Sequence, residues 1–413
     1  MPGVGPIQNS LASGVSTSHP PAFNRNAVVA VCFAIAVLEG YDIQSMGVTA
    51  PAMARSLHIG KDQIGFAGSA AMVGLVIGAW LGGWLADRFG RKPVLIAATV
   101  CFGLFSLATA LASDVHGLIA ARLATGLGFG GAMPNMLAVA AEISSPSRRT
   151  ATGTAMFAGF PAGGILAALV TVLAPAAFDW RLIFVIGGAL PMVLAPVALW
   201  LLPETRVRRE AERAPSISAL TAQGRAITTL LIAAALGFTL VVQYLMLSWL
   251  PTLAIASGMP RPQAAMAAAY YNAAGIAGGL LFGVVVDRCG ARWPITAAYA
   301  ALAIAIAALG AVKGLAPILL LSSLTGFLLS GGLFCVYALA PTYYPAPVRA
   351  TGTGVAVGVG RIGAVAGPSL GGFLLAGGAN VSQVIQSLIP IALAGGVAAA
   401  LLTMFRKPYG VSS

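Results

Sequence analysis

GGWLADRFGRK, residues 82–92, ends one long apolar run and begins another. Two hundred residues later FGVVVDRCGAR, residues 282–292, stands in the same setting. In each copy an apolar run closes on Asp-Arg, a glycine allows a tight reversal, and more basic residues follow. The echo continues in order: TGLGFGGAMP (125–134) is answered by TGFLLSGG (325–332), and SPSRRTATG (145–153) by YPAPVRATG (344–352). Three landmarks in one order, at offsets of 200, 200 and 199 residues, mark a duplicated unit.

Composition says what the unit is made of. The chain has 413 residues, 58% hydrophobic and 8% charged, where a soluble domain carries about 25% charge. So little charge cannot cover a water-facing surface, and lipid must take its place. A bilayer crossing needs about 20 apolar residues. Twelve such runs are read at 27–52, 63–86, 93–112, 115–141, 150–177, 181–202, 226–257, 264–286, 293–312, 315–341, 350–377 and 381–405. The longest polar segment, 203–225, divides them six and six. The expected organisation is a disordered cytoplasmic tail (1–25), an N-terminal six-helix bundle (26–202), a cytoplasmic linker (203–225), a C-terminal six-helix bundle (226–405) and a short cytoplasmic tail (406–413).

The formal charge of +12 would suit a nucleic-acid partner, but its distribution argues for topology. With the N-terminus inside, cytoplasmic segments take 16 of the 23 Lys and Arg, and outer segments take five. That bias places both termini in the cytoplasm. Four scattered cysteines without a CxxC suggest neither a disulfide framework nor a metal site. The uncharged Pro/Ser/Gly-rich start has no basic region or apolar core of a signal peptide.

Asp87 and Arg88, followed by Arg91, face the cytoplasm, as do Asp287 and Arg288 in the second copy. A carboxylate there is able to bond the start of a neighbouring helix and hold one conformation shut. Arg349, and Glu142 at the inner end of the fourth span, join this gating set, with Asn135 nearby.

Four charges lie deep inside spans. LEGYDIQSMG (38–47) carries Glu39 and Asp42, the only charges between Arg25 and Arg55. A charge at the bilayer centre costs about 2.5–3.5 kcal/mol on insertion scales, so two acids need a reason. At spacing i, i+3 they sit about 60° apart on a helix, facing one space. Two close carboxylates in low dielectric titrate as a unit, which suits a proton carrier. Gly40 between them permits close approach of a helix or cargo. The bland alternative is a structural ion pair with a buried arginine. Arg122 and Arg361 reach the same depth, and arginine offers a planar fork to a carboxylate. One arginine is expected to bind a substrate anion and the other to sit with an acid. Arg361 is assigned the substrate, because its own span carries no acid.

Tyr41, Gln44, Gln243, Tyr244, Asn272 and Tyr337 supply rings and polar groups within spans, with Trp249, Tyr270, Tyr271 and Phe334 beside them. They are candidates to stack on or bond a cargo, although helix packing or the interfacial belt explains each one alone. GLGFGG (126–131) and GVGRIG (358–363) imitate a dinucleotide fingerprint, but both lie in apolar helices and read as close helix contacts. No HExxH, GxSxG or Walker motif appears, so catalysis, a cofactor and ATP drive have no support.

The six-plus-six plan and the GGWLADRFGRK loop resemble the major facilitator superfamily. The first-span acids, RLATGLGFGGAMPN (122–135) and GVGRIGAVAGP (358–368) are similar to its aromatic acid:proton symporter family. That family usually shows Asp-Gly-x-Asp where this chain has Glu39-Gly40-Tyr41-Asp42. The Glu variant, with LFSLATA (104–110) and YALAP (337–341), most resembles its 3-(3-hydroxyphenyl)propionate branch. The resemblance implies a bacterial inner-membrane monomer that imports a small aromatic carboxylate with protons, driven by the proton gradient and without a cofactor. An efflux antiporter of the same fold is the first alternative. A membrane-embedded enzyme or a transporter-like sensor is the second.

Overall fold

The computed structural model describes residues 24–143, 149–173, 179–203, 225–345 and 348–406. Nearly all of the expected tails and linker, and the basic residues at 148 and 206–213, lie outside the described residues.

The first half comprises α1 (Arg25–Leu57), α2 (Lys61–Phe89), α3 (Arg91–Ala110), α4 (Val115–Ile143), α5 (Arg149–Leu173) and α6 (Arg181–Leu201). The second comprises α7 (Arg225–Ala256), α8 (Arg261–Cys289), α9 (Arg292–Ala311), α10 (Leu315–Leu339), α11 (Arg349–Gly360), α12 (Ile362–Ala376), α13 (Val381–Gln386) and α14 (Leu388–Phe405). Together they make 12 membrane-crossing segments among the described residues, matching the count from hydropathy. Helix is the only regular form that closes its own backbone hydrogen bonds inside lipid. Large apolar side chains such as Trp80, Trp200, Leu173 and Phe405 stand exposed on the outside, as a lipid-facing surface requires.

Two spans read as continuous are broken. The twelfth divides at Ser387, whose hydroxyl turns back to the Val384 carbonyl (2.7 Å), three residues before Pro390, which has no N–H to give Gln386. The eleventh divides at Arg361, inside the glycine-rich GVGRIG. There the Arg361 carbonyl takes both the Ala364 N–H (3.0 Å) and the Val365 N–H (3.4 Å), tightening the turn.

The reversal glycines behave alike in both copies. Gly90 (φ 95°) and Gly290 (φ 76°) lie in the left-handed region that a side chain would strain.

Packing repeats too. α2 lies on α4 as α8 lies on α10, and α1 on α5 as α7 on α11 and α12. Between the halves, α2 meets α12 and α5 meets α8. Lipid tails are as apolar as leucine, so contact area must come from close backbones. Small residues provide it: a Cβ on Gly126 or Gly130 would overlap the Ala71 or Leu75 carbonyl of α2, and one on Gly128 would strike α3. The GLGFGG run is therefore a helix seam.

One end of the bundle carries Arg25, Arg88, Arg91, Arg288, Arg349 and Arg406 and forms a basic face. Toward the opposite face the halves close tightly. Ser69 on α2 donates to the Val365 carbonyl (2.6 Å) and pairs with the Ser369 hydroxyl (2.7 Å). Gly65 and Gly372 bring the two backbones together, Phe66 stands edge-on to Phe373 (5.0 Å), and Gly47 of α1 packs on the Leu247 carbonyl of α7.

Candidate functional site

Asn24 caps α1, accepting from the N–H groups of Asn26 (3.1 Å) and Ala27 (3.3 Å). The helix then runs unbroken to its middle, where Glu39 through Ala50 are all buried. This is the most enclosed stretch of the molecule, and it holds both acids.

The two acids do not share one space. Asp42 turns into the first half. Its Oδ1 accepts from Arg122 Nη1 of α4 (2.5 Å), and its Oδ2 accepts from the Ser106 hydroxyl of α3. Ser106 also stands 3.2 Å from the Phe184 carbonyl of α6, and the Arg122 guanidinium lies over the Phe184 ring at 5.6 Å. Arg122 is 1% and Asp42 0% exposed, so bulk solvent does not reach this ion pair. Arg122 is thus the arginine that sits with an acid. Its Nε makes no bond among the described residues.

Glu39, one turn earlier, is 2% exposed and makes no hydrogen bond or ion pair among the described residues. It lines a cavity of about 20 Å³ with Met133, Met136 and Leu137 of α4 and Met156, Phe157 and Phe160 of α5. That is room for one water. The residues are 60° apart around α1 and about 4.5 Å apart along it, enough to send Asp42 to α3 and Glu39 to the seam between α4 and α5. Gly40 serves the same seam, since a Cβ there would overlap the Phe160 carbonyl.

Across the seam stands Arg361, half-buried at the break between α11 and α12. Its Nη2 reaches the Met133 thioether at 3.7 Å, a weak acceptor for a guanidinium. Glu39, Tyr244 and Tyr337 are within its electrostatic reach. The midpoint of the molecule therefore sets an acid of the first half against a cation and two phenols of the second.

The amides form a second link. Asn272 Nδ2 of α8 donates to Gln44 Oε1 (2.7 Å), and Gln44 Nε2 lies 3.5 Å from the Phe160 carbonyl. Gln243 accepts from the Tyr271 hydroxyl (3.0 Å), inside the second half. Tyr41 is placed elsewhere than expected: two residues beyond Glu39, it faces the other way and donates to the Ile183 carbonyl (3.1 Å) within the first half. Trp249 donates to the Pro368 carbonyl (2.8 Å), bracing α12.

At the basic face Arg91 is ion-paired with Glu142, tying the start of α3 to the end of α4. Arg88 lies over Trp84 and Phe89, at 6.0 and 5.6 Å. Asp87, Asp287 and Arg288 are exposed, and neither acid forms a hydrogen bond or ion pair among the described residues. Arg349 Nε donates to the Tyr344 carbonyl (3.3 Å). Asn135 bonds the Gly82 (3.3 Å) and Gly131 (2.8 Å) carbonyls, within the first half.

Sequence reasoning did not find Ser106, Phe184 or the methionines. Ser106 looks like any small polar residue in a span, and nothing in GGAMPN marks Met133 as a neighbour of a residue 228 positions away.

The chain belongs to the Major Facilitator Superfamily, which it matches over residues 32–278 and 250–412. It is 39% identical over 399 residues to the 3-(3-hydroxy-phenyl)propionate transporter of Escherichia coli K12, covering 95% of this chain and 98% of that one. It is 36% identical to the 4-hydroxybenzoate transporter PcaK of Pseudomonas aeruginosa, covering 89% and 90%. Among solved structures it superposes on a D-xylose-proton symporter with a TM-score of 0.75 at 17% identity, covering 94% and 99%. It is a multi-pass membrane protein of transporter fold.

Proposed function

We propose that this major facilitator chain imports an aromatic carboxylate, of hydroxyphenylpropionate or hydroxybenzoate type, together with protons. Its seat is the inner membrane of a bacterium. The basic face is cytoplasmic, following the positive-inside bias, and the chain works as a monomer. The observation that carries the reading is that Glu39 of the first half and Arg361 of the second meet the same Met133 side chain, next to the sealed Asp42–Arg122 pair. The relatives' names supply the substrate class.

Charge balance gives the mechanism. An occluded centre of low dielectric tolerates net charge poorly. With no cargo, ionised Glu39 and Arg361 are neutral together. With cargo, the substrate carboxylate neutralises Arg361, and Glu39 must carry a proton. Only these two forms of the centre cross readily, so one proton travels with one anion. Tyr337 and Tyr244 offer hydroxyls beside the guanidinium to orient the carboxylate. Asp42 is the second acid able to take up a proton. While it stays paired with Arg122 it adds no net charge, and protonating it releases Arg122 and loosens the α1–α4 contact.

Alternating access follows from the duplicated halves. The halves meet tightly around Ser69, Ser369 and Gly372, so the path is shut on the outer side. In the outward state that contact parts, and Asp87 meets a helix start of the other half. Gln44 and Asn272 exchange partners during the movement.

Uptake of labelled aromatic acids into proteoliposomes tests the reading. Inward accumulation should follow an imposed proton gradient, collapse with an uncoupler and fail in Glu39→Gln. Competition among benzoates, phenylacetates and phenylpropionates ranks the cargo. Accumulation indifferent to both uncoupler and mutation would refute proton coupling, and counterflow directed only outward would make the chain an efflux antiporter.

A further inference from the structure

We infer that Glu39 reads a ring hydroxyl on the substrate, making it the residue that selects hydroxylated over plain aromatic acids. The inference rests on the substrate class proposed above and adds a pose to it. Glu39 is 98% buried, and no side chain or backbone group among the described residues bonds it. Its neighbours Met133, Met136, Met156, Phe157 and Phe160 are apolar, so among the described residues it is the sole polar side chain lining its cavity. A buried carboxyl without a partner is costly. Asp42, one turn away, has every oxygen satisfied. The difference marks Glu39 as a group whose charge Arg361 answers from a distance but whose hydrogen-bond partner arrives from outside the protein.

The neighbouring groups say what the partner is. Met133 both lines the cavity and touches Arg361, so a single flexible side chain separates the apolar pocket from the guanidinium. A ligand that binds Arg361 through a carboxylate displaces the Met133 thioether and carries its next atoms into the pocket. The cavity of about 20 Å³ is too small for a ring as it stands. Three methionines line it, and unbranched thioethers re-pack readily and favour aromatic faces. A ring lying among them, with Phe157 and Phe160 beside it, presents its far edge to Glu39. A phenol is one donor and one acceptor, and a protonated carboxyl matches both. The loaded carrier is also the state in which Glu39 holds its proton, so the hydroxyl meets it in the right form.

The test is equilibrium binding to purified full-length protein in nanodiscs, comparing 3-(3-hydroxyphenyl)propionate with 3-phenylpropionate. Wild type should favour the hydroxylated acid by about tenfold or more, the effect of leaving a buried polar group unpaired. Glu39→Leu suits the apolar pocket, so it should fold, and it should bind the two acids alike. Glu39→Gln keeps a donor and an acceptor in the same shape. It should retain the preference while losing proton-driven uptake. Arg361→Lys should weaken both acids by the same factor. If Glu39→Leu or Glu39→Gln shows the opposite result, the assignment of Glu39 is overturned and the aromatic-acid reading stands. Failure of wild type to bind either acid would overturn both.

Discussion

The two halves share a plan and differ in how they treat charge. In the first, Arg122 and Asp42 form a buried pair, and Arg91–Glu142 and Arg181–Asp179 form two more at its faces. The second half holds one acid, Asp287, which forms no ion pair among the described residues. The matching positions are neutral. Ser322, 200 residues after Arg122, is fully buried with an unbonded hydroxyl. Val242, 200 residues after Asp42, is apolar and fully buried, and Thr239, 200 after Glu39, pairs with the Tyr299 hydroxyl (2.5 Å) instead of a cation. Arg91 and Glu142 correspond to Ala291 and Thr342. The second half keeps one deep cation, Arg361, and gives it no acid of its own. The first half seals one deep acid, Asp42, against its own arginine and leaves the other, Glu39, facing outward from that pair. The second half leaves a cation open, and only the first half or a bound anion answers it.

Four sets of substitutions would break or sharpen that contrast. The largest effect is expected at the sealed pair. Asp42→Asn strands a buried guanidinium and should cost about 3–5 kcal/mol, read as a loss of thermal stability in detergent. Asp42→Leu with Arg122→Leu should regain most of it, a non-additivity that a double-mutant cycle measures. If Asp42→Asn unfolds like wild type, the pair does not hold the first half together. Next comes Arg361→Gln, expected to raise the half-saturation concentration by roughly 10- to 100-fold, about 1.5–3 kcal/mol of charged hydrogen bonding, with stability little changed. Equal losses of stability at Arg361 and Asp42 would erase the contrast.

Backbone approach gives a third comparison. Gly40→Ala drives a Cβ into the Phe160 carbonyl and should cost about 1–3 kcal/mol. Gly237→Ala, on the central helix α7 of the other half, meets nothing nearer than the Gly360 carbonyl at 3.5 Å and should be nearly neutral. Unfolding temperatures of the two variants decide it, and similar shifts would contradict the geometry. The smallest effect is expected at the basic face. Arg91→Ala removes an ion pair whose side chains are 23% and 38% exposed, so stability should fall by less than about 1 kcal/mol, and less again in high salt.

Much of this was legible beforehand. Hydropathy gave twelve crossings because a span must be apolar along its full length, a property of residues in a row. The duplicated loop identified the halves, and burial cost singled out Glu39, Asp42, Arg122 and Arg361, since charge in lipid needs a reason wherever the neighbours lie. The break at Arg361 was less visible, as glycine-rich helices in membranes often stay continuous.

Partnership was not legible. Glu39 and Asp42 are three residues apart, and helical geometry alone put them on one face. Their separation depends on what packs around α1: Ser106 and Arg122 on one side, Met133, Met156 and Phe160 on the other. Tyr41 went to the Ile183 carbonyl for the same reason. The order of residues by itself determined that this chain crosses a bilayer twelve times in two related halves and buries four charges. Only the tertiary structure decided which charge answers which, because the energy of a buried ion is set by the few atoms within hydrogen-bonding distance, and those come from helices far apart along the chain.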